Sequence, residues 1–273
     1  NGAGKTTTIK MLITLLLPTS GSATILGHDV VADPRAVRRR IGYVFGGDRG
    51  LYERLSALDN LRYFAELYAV PAREQRARIG ELLELVGLSG RERERVEGFS
   101  RGMRQRLHIA RGLLHDPDLL FLDEPSIGID PVGARELRQT IAGLREQGKT
   151  ILLTTHYMFE ADELCDRIAV IRQGELVATG TPAELKARVS AGSVLEVEVF
   201  DALGDRLAIV EALPGVRSST MTTGETSQTL VVSVDAGADV TGATLDALHG
   251  IRVGRVVTRQ PTLEDAYVEL VGS

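Results

Sequence analysis

Asn1-Gly2-Ala3-Gly4-Lys5-Thr6-Thr7 opens the chain, and Leu119-Leu120-Phe121-Leu122-Asp123-Glu124-Pro125 follows far downstream. The first stretch is the last part of G-x-x-x-x-G-K-[ST]. Its glycines let successive backbone N–H groups turn inward around a phosphate, and the helix that follows adds the positive end of its dipole. Lys5 is placed to meet β- and γ-phosphate oxygens, each charge-assisted bond worth about 1.5–3 kcal/mol. Thr6 offers a hydroxyl to Mg²⁺. Alone, the stretch would also fit a glycine-rich helix start with an exposed lysine. The motif's first glycine and the strand before it are not in the sequence, so the chain reads as an N-terminally truncated fragment.

The second stretch runs four apolar residues into two carboxylates. That is the pattern of a buried parallel strand whose C-terminal edge carries the acids, where open α/β sheets hold their ligands. Asp123 suits Mg²⁺, directly or through water. Glu124 can polarise an attacking water, a general-base role worth ~10²–10⁴-fold. A third stretch, Phe99-Ser100-Arg101-Gly102-Met103-Arg104-Gln105-Arg106, places a serine and a glycine at a helix start. That makes a second anion site or, taken alone, an ordinary N-cap.

Working outward, the coarse reading is α/β. A helix is expected over Thr6–Leu17, closed by Pro18 and Gly21, and short strands over Ser22–Leu26 and Ile41–Phe45. The charged helix Pro34–Arg40 lies between them. Residues from about 55 to 115 read as nearly all helix, followed by strands at Leu119–Leu122, Thr150–Thr154 and Arg167–Ile171 with helices between. Beyond Val189 short β-type runs (Val194–Phe200, Thr229–Val234, Ile251–Val257) alternate with shorter helices. We therefore expect one domain over 1–189 and a small α+β domain over 193–273, with the boundary in Ser190–Gly192.

Composition narrows the partners. With 32 Lys and Arg against 37 Asp and Glu the formal charge is −5, which argues against nucleic acid as a main partner. The single Cys165 excludes an intrachain disulfide and any Cys-cluster metal site. The most apolar run, Ile9–Leu17, is broken by Lys10 and Thr14 and falls short of the ~20 residues of a spanning helix. His28, His108, His115 and His249 lack a metal spacing and read as surface or helix-packing residues. Cys165 reads as a small core residue, and Glu136, Arg138 and Glu146 as a solvated helix face. Ser126 has no histidine partner at a convincing spacing.

Taken together, five elements resemble the nucleotide-binding subunit of an ABC transporter over residues 1 to about 187. They are Gly-x-Gly-Lys-Thr-Thr at 2–7, Ser-Arg-Gly-Met-Arg-Gln-Arg at 100–106, Leu-Asp-Glu-Pro at 122–125, Gly-Ile-Asp-Pro at 128–131 and Thr-Thr-His at 154–156. The C-terminal stretch from Pro261 to Gly272 is similar to the end of exporter ATPases that pair with separate drug- or polysaccharide-exporting permeases. The resemblance implies a P-loop ABC-type nucleotide-binding domain with a helical insertion at about 55–115, and Mg²⁺-dependent ATP hydrolysis coupled to export. It assigns nucleotide contacts to Asn1, Gly2, Ala3, Gly4, Lys5, Thr6 and Thr7, metal ligation to Thr6 and Asp123, and catalysis to Glu124 and His156. Ser100, Gly102 and Asp130 would meet the nucleotide or interface of a second subunit stacked head to tail, identical or a related cassette. The resemblance also implies a permease docked near Leu51–Leu67 and a peripheral location on the cytoplasmic face of the membrane.

Two departures stand out. Where the family carries a glutamine after the strand matching Ile41–Val44, this chain reads Phe45-Gly46-Gly47-Asp48-Arg49-Gly50, and Asp48 is a candidate to supply an oxygen in its place. Arg101 and Met103 replace a common glycine and glutamine, Arg101 pointing to solvent or adding charge near phosphate. The adenine-stacking aromatic would lie before Asn1. Two other readings stay open: a soluble ABC ATPase acting on nucleic acid or ribosomes, and a non-hydrolysing ATP-gated regulatory subunit.

Overall fold

The structure is a computed structural model, and it describes residues 2–46, 50–189, 192–223 and 227–272. The chain forms two compact units, residues 1–165 with 171–175, and 166–170 with 176–273. Ser190 and Ala191, on which the expected boundary falls, lie outside the described residues.

The first unit is organised around three parallel strands, β3 (Ile41–Phe45), β4 (Leu119–Asp123) and β5 (Thr150–Thr154), in the order β3-β4-β5. Their register aligns Phe45 with Asp123 and Asp123 with Thr154, so these three residues form one row at the C-terminal edge. Side chains alternate across a strand, and β4 is buried on both faces. Phe121 packs with Ile9, Ile13, Val37 and Ile41 on one side. Leu120 and Leu122 meet Leu107, Ile109, Leu137 and Ile141 on the other. The helices responsible are α1 (Lys5–Leu12), α2 (Pro34–Arg40), α5 (Arg101–Gly112) and α6 (Pro131–Glu146). A short hairpin of β1 (Thr24–Ile25) and β2 (His28–Asp29) precedes α2.

Helix α1 stops well before Pro18. Thr14 adopts φ 64°, with Thr14 N–H bonded to Met11 O and Leu15 N–H to Lys10 O. These paired bonds are a Schellman ending, which here uses threonine where glycine is usual. The expected helix over Thr6–Leu17 is thus corrected at its end by a signal that carries no sequence mark. The helical insertion holds α3 (Ala57–Leu67) and α4 (Ala72–Leu85) before α5. Buried Asn60 clasps the entry to α3, donating to the Tyr52 and Ser56 carbonyls and accepting from Tyr52 N–H. Helix α7 (Met158–Leu164) follows β5.

In the second unit, β8 (Ser193–Val199), α9 (Arg206–Glu211), β9 (Val216–Thr223), β10 (Gln228–Val234), α10 (Thr241–Ala247) and β11 (Val253–Arg259) follow in sequence. The antiparallel sheet order is β11-β8-β10-β9, a split β-α-β arrangement. Leu195, Val197, Val199, Leu230 and Val232 form its core together with Leu203, Val210 and Leu248. The same unit holds β7 (Glu175–Gly180), most of β6 (Ile168–Arg172), α8 (Pro182–Val189) and α11 (Leu263–Gly272), and α8 packs on α11. β7 and β9 went unread in the sequence, β9 because Val-Arg-Ser-Ser-Thr-Met-Thr-Thr has too few apolar residues to show its alternation.

Candidate nucleotide and hydrolysis site

The glycine-rich turn reaches α1 through left-handed backbone at Gly2 (φ 82°) and Gly4 (φ 99°). Ala3 O accepts a hydrogen bond from Gly174 N–H at 2.9 Å, which ties the turn to the loop after β6. Asn1 lies outside the described residues. Thr6 and Thr7 are exposed on the first turn of α1, next to the N–H groups that a helix start leaves unpaired.

Lys5, Glu124 and His156 converge. Lys5 Nζ lies 3.6 Å from Glu124 Oε1, and His156 Nδ1 lies 2.5 Å from Glu124 Oε2. Each carboxylate oxygen therefore has its own nitrogen partner. Glu124 itself sits at φ 50°, the left-handed region that costs an L-residue roughly 1–2 kcal/mol. Its N–H bonds both Thr154 O at 3.0 Å and Thr154 Oγ1 at 3.1 Å. Asp123 is 5% exposed and accepts a short hydrogen bond from the Thr154 hydroxyl. His156 also lies against the tilted ring of Tyr157, ring centroids 4.0 Å apart. Beside it, the Thr155 hydroxyl donates to buried Glu160 at 2.8 Å and accepts from Tyr157 N–H.

Ser100, Gly102 and Asp130 form a second group, at the starts of α5 and α6. Exposed Ser100 caps α5, accepting from Met103 N–H at 3.2 Å. Asp130 caps α6 through Val132 and Gly133 N–H. Gly102 is buried against Gly133, and a Cβ on it would lie 3.2 Å from Gly133 Cα and 3.4 Å from Ile129 Cγ2. The two helix starts thus approach closely only because small residues stand there. Arg101 Nη1 donates to Gly128 O at 3.1 Å, so it braces the loop before α6. Met103 packs at the edge of the core.

The lost glutamine has a steric counterpart. Gly46 N–H bonds Asp123 O at 2.7 Å. A Cβ on Gly46 would stand 2.2 Å from Glu124 O and 2.8 Å from Ile127 Cγ2. In this backbone a glutamine cannot replace Gly46 unless the Glu124 turn moves. Asp48, the expected substitute oxygen, lies outside the described residues.

One further expectation is corrected. Arg138 is not on a solvated face: its side chain is 16% exposed, pairs with Glu163 at 2.9 Å, and its guanidinium lies 5.0 Å over the Phe159 ring. Glu136 is exposed, as expected, and also pairs with buried Arg106. His108 is a helix-packing residue, as expected: it is buried in α5, and desolvation together with the Arg111 charge lowers its pKa from 6.5 to about 3. Sequence reasoning placed Thr154 in a motif and gave it no task. The signal was available in the pairing of the two strands, since a hydroxyl at the end of β5 stands in register with Asp123.

As donors for Mg²⁺, a hydroxyl at Thr6 and a carboxylate at Asp123 are hard oxygens of the right kind. Among the described residues no group of three or more His, Cys, Asp or Glu could hold a metal ion by itself.

The chain is similar to known proteins. The ABC transporter family model matches residues 1–127. The daunorubicin resistance ATP-binding protein DrrA3 of Streptomyces coeruleorubidus is 41% identical over 277 residues, covering 100% of this chain and 85% of that protein. The Nod factor export ATP-binding protein I of Cupriavidus metallidurans is 37% identical over 273 residues, covering 100% and 86%. A solved ATP-binding subunit of an ABC transporter superposes with a TM-score of 0.59 at 33% identity, covering 69% of this chain and 78% of that one. Motif order, strand-edge geometry and similarity along the whole of the given chain converge, and the chain belongs to the ATP-binding proteins of ABC transporters, the family that hydrolyses ATP to drive transport.

Proposed function

We propose that this chain powers export through a separate membrane permease, with Glu124 and His156 as its hydrolytic residues. The convergence of Lys5 and His156 on Glu124 at the edge of β4 carries this reading. Phosphate oxygens compete for the same two donors. Lys5 and His156 then turn to the γ-phosphate, and Glu124 is released to take a proton from the attacking water. Gly2, Ala3, Gly4, Lys5, Thr6, Thr7 and, outside the described residues, Asn1 line the phosphates, while Thr6 and Asp123 hold Mg²⁺. That ion, when bound, supplies charge that offsets the β- and γ-phosphate oxygens.

Ser100 and Gly102 of one subunit meet the nucleotide of a second subunit stacked head to tail, with Asp130 at that interface. The support is an exposed Ser100 at the start of a 12-residue helix whose N-terminal end favours anions. The permease docks on the surface around Leu51–Leu67, where Tyr52, Leu55, Tyr63 and Leu67 are exposed apolar or aromatic side chains. No helix among the described residues is long and apolar enough to cross a membrane, in keeping with a peripheral subunit at the cytoplasmic face. Export follows from the relative named for Nod factor export and from the exporter-like C-terminal stretch. The division into an ATP-binding domain over 1–189 and an accessory domain over 193–273 belongs to the same proposal.

Sedimentation of Glu124→Gln with and without ATP tests the stacking. A dimer appearing only with ATP and lost on adding Ser100→Arg is the expected result. An ATP-dependent dimer indifferent to Ser100→Arg contradicts head-to-tail binding.

A further inference from the structure

We propose that Thr154 is a positioning residue of the hydrolytic site, fixing both carboxylates at once through one hydroxyl. This rests on the reading that Asp123 and Glu124 serve Mg²⁺ and the attacking water. Parallel register places Thr154 directly beside Asp123 at the ends of β5 and β4. Its hydroxyl proton goes to Asp123 Oδ1, and its oxygen accepts from the N–H of Glu124 at 3.1 Å. A hydroxyl has one proton to give and lone pairs to accept with, so both bonds form together.

Two consequences follow from this arrangement. Asp123 Oδ1 is occupied, so Oδ2 is the oxygen without a protein hydrogen bond among the described residues and the one that presents to a cation. A carboxylate so pinned binds through one oxygen and cannot rotate to bind through two, which matches the strict octahedral demand of Mg²⁺. At Glu124, the second bond to its N–H holds the left-handed turn at φ 50°. That turn swings the side chain out of the strand direction and onto Lys5 and His156. Groups that orient a ligand from behind typically matter roughly 10–100-fold in metal affinity or activity.

Valine keeps the β-branched shape of threonine in a strand and deletes the hydroxyl, and serine keeps the hydroxyl. The test compares Thr154→Val, Thr154→Ser and the wild-type full chain in three measurements. These are Mn²⁺ binding in the presence of ATP by electron paramagnetic resonance, ATP binding in EDTA, and kcat against KM. Thr154→Val should weaken Mn²⁺ and lower kcat roughly 10–100-fold, leave metal-free ATP binding within about twofold, and be largely rescued in Thr154→Ser. Wild-type Mn²⁺ affinity in Thr154→Val overturns the proposal. So does a serine variant as impaired as the valine one, or a loss of metal-free ATP binding parallel to the loss of turnover, since both are marks of a merely structural role. Turnover that survives in Glu124→Gln would instead overturn the underlying assignment of Glu124, and the Mn²⁺ comparison would still decide the role of Thr154.

Discussion

The edge of the β3-β4-β5 sheet and the β8–β11 sheet of the second unit both gather charged side chains, and they use them in opposite ways. In the second unit the Arg259 guanidinium lies 2.7 Å from Glu196 and 2.6 and 3.0 Å from the two oxygens of Asp265. Those bonds raise the Arg259 pKa further. Burial alone would raise Asp265, and the bonds from Arg259 and Thr262 outweigh it to hold the carboxyl below its usual range. These charges are matched locally and hold α11 to its sheet. At the first site, Glu124 faces the Lys5 ammonium and the His156 ring nitrogen, groups that a phosphate also attracts, from a backbone conformation with a conformational cost. Interactions that a ligand can exchange mark a working site. Interactions closed among the protein's own groups mark a structural one.

The sharpest way to break this contrast is at Gly46. If the Glu124 turn is poised as described, restoring the family glutamine should harm the site. Gly46→Gln should lower ATP turnover about tenfold or more, short of the ~10²–10⁴-fold that losing a general base outright costs. Increased turnover would show that the glycine loop is merely a loss. A smaller effect is expected in the second unit. Arg259→Met leaves Glu196 and Asp265 facing each other, and a half-buried network broken on one side should cost about 1–3 kcal/mol, less than the 3–5 of a fully buried pair. Thermal unfolding should register it while ATP turnover of the folded protein stays within about twofold. Matching losses in turnover would mean that the second unit's charges also serve the chemistry.

His108 represents a third treatment of charge, exclusion. Its folded-state pKa of about 3 lies below the ordinary 6.5. The stability that depends on its neutral form is therefore complete above pH 6.5 and is lost as pH falls toward 3. The slope approaches about 1.4 kcal/mol per pH unit. Denaturant unfolding of His108→Leu between pH 7 and 4.5 should show a shallower acid loss than wild type, and identical slopes would contradict the assignment.

Much of the site was legible because its chemistry depends on residue type and order. Glycines before Lys5, two acids ending an apolar strand, and serine before glycine at a helix start each state a physical requirement. What escaped depends on backbone geometry that arises only on folding. The end of α1 at Thr14 uses a left-handed residue that carries no glycine mark. The turn at Glu124, the bar on a side chain at Gly46 and the double bond-making of Thr154 all come from strands set side by side. Their sequence positions are far apart, 30 residues for Thr154 and Glu124. Arg138 was misplaced for a related reason, because its partners Phe159 and Glu163 arrive on a different helix.

The central claim is that Glu124, held between Lys5 and His156, is the base for hydrolysis. It is tested most directly by single-turnover Mg²⁺-ATP hydrolysis in Glu124→Gln beside wild type, with bound nucleotide measured in the same samples. The account expects ATP binding within about twofold of wild type and a cleavage rate at least ~100-fold lower. Cleavage at the wild-type rate by the ATP-loaded variant would contradict it.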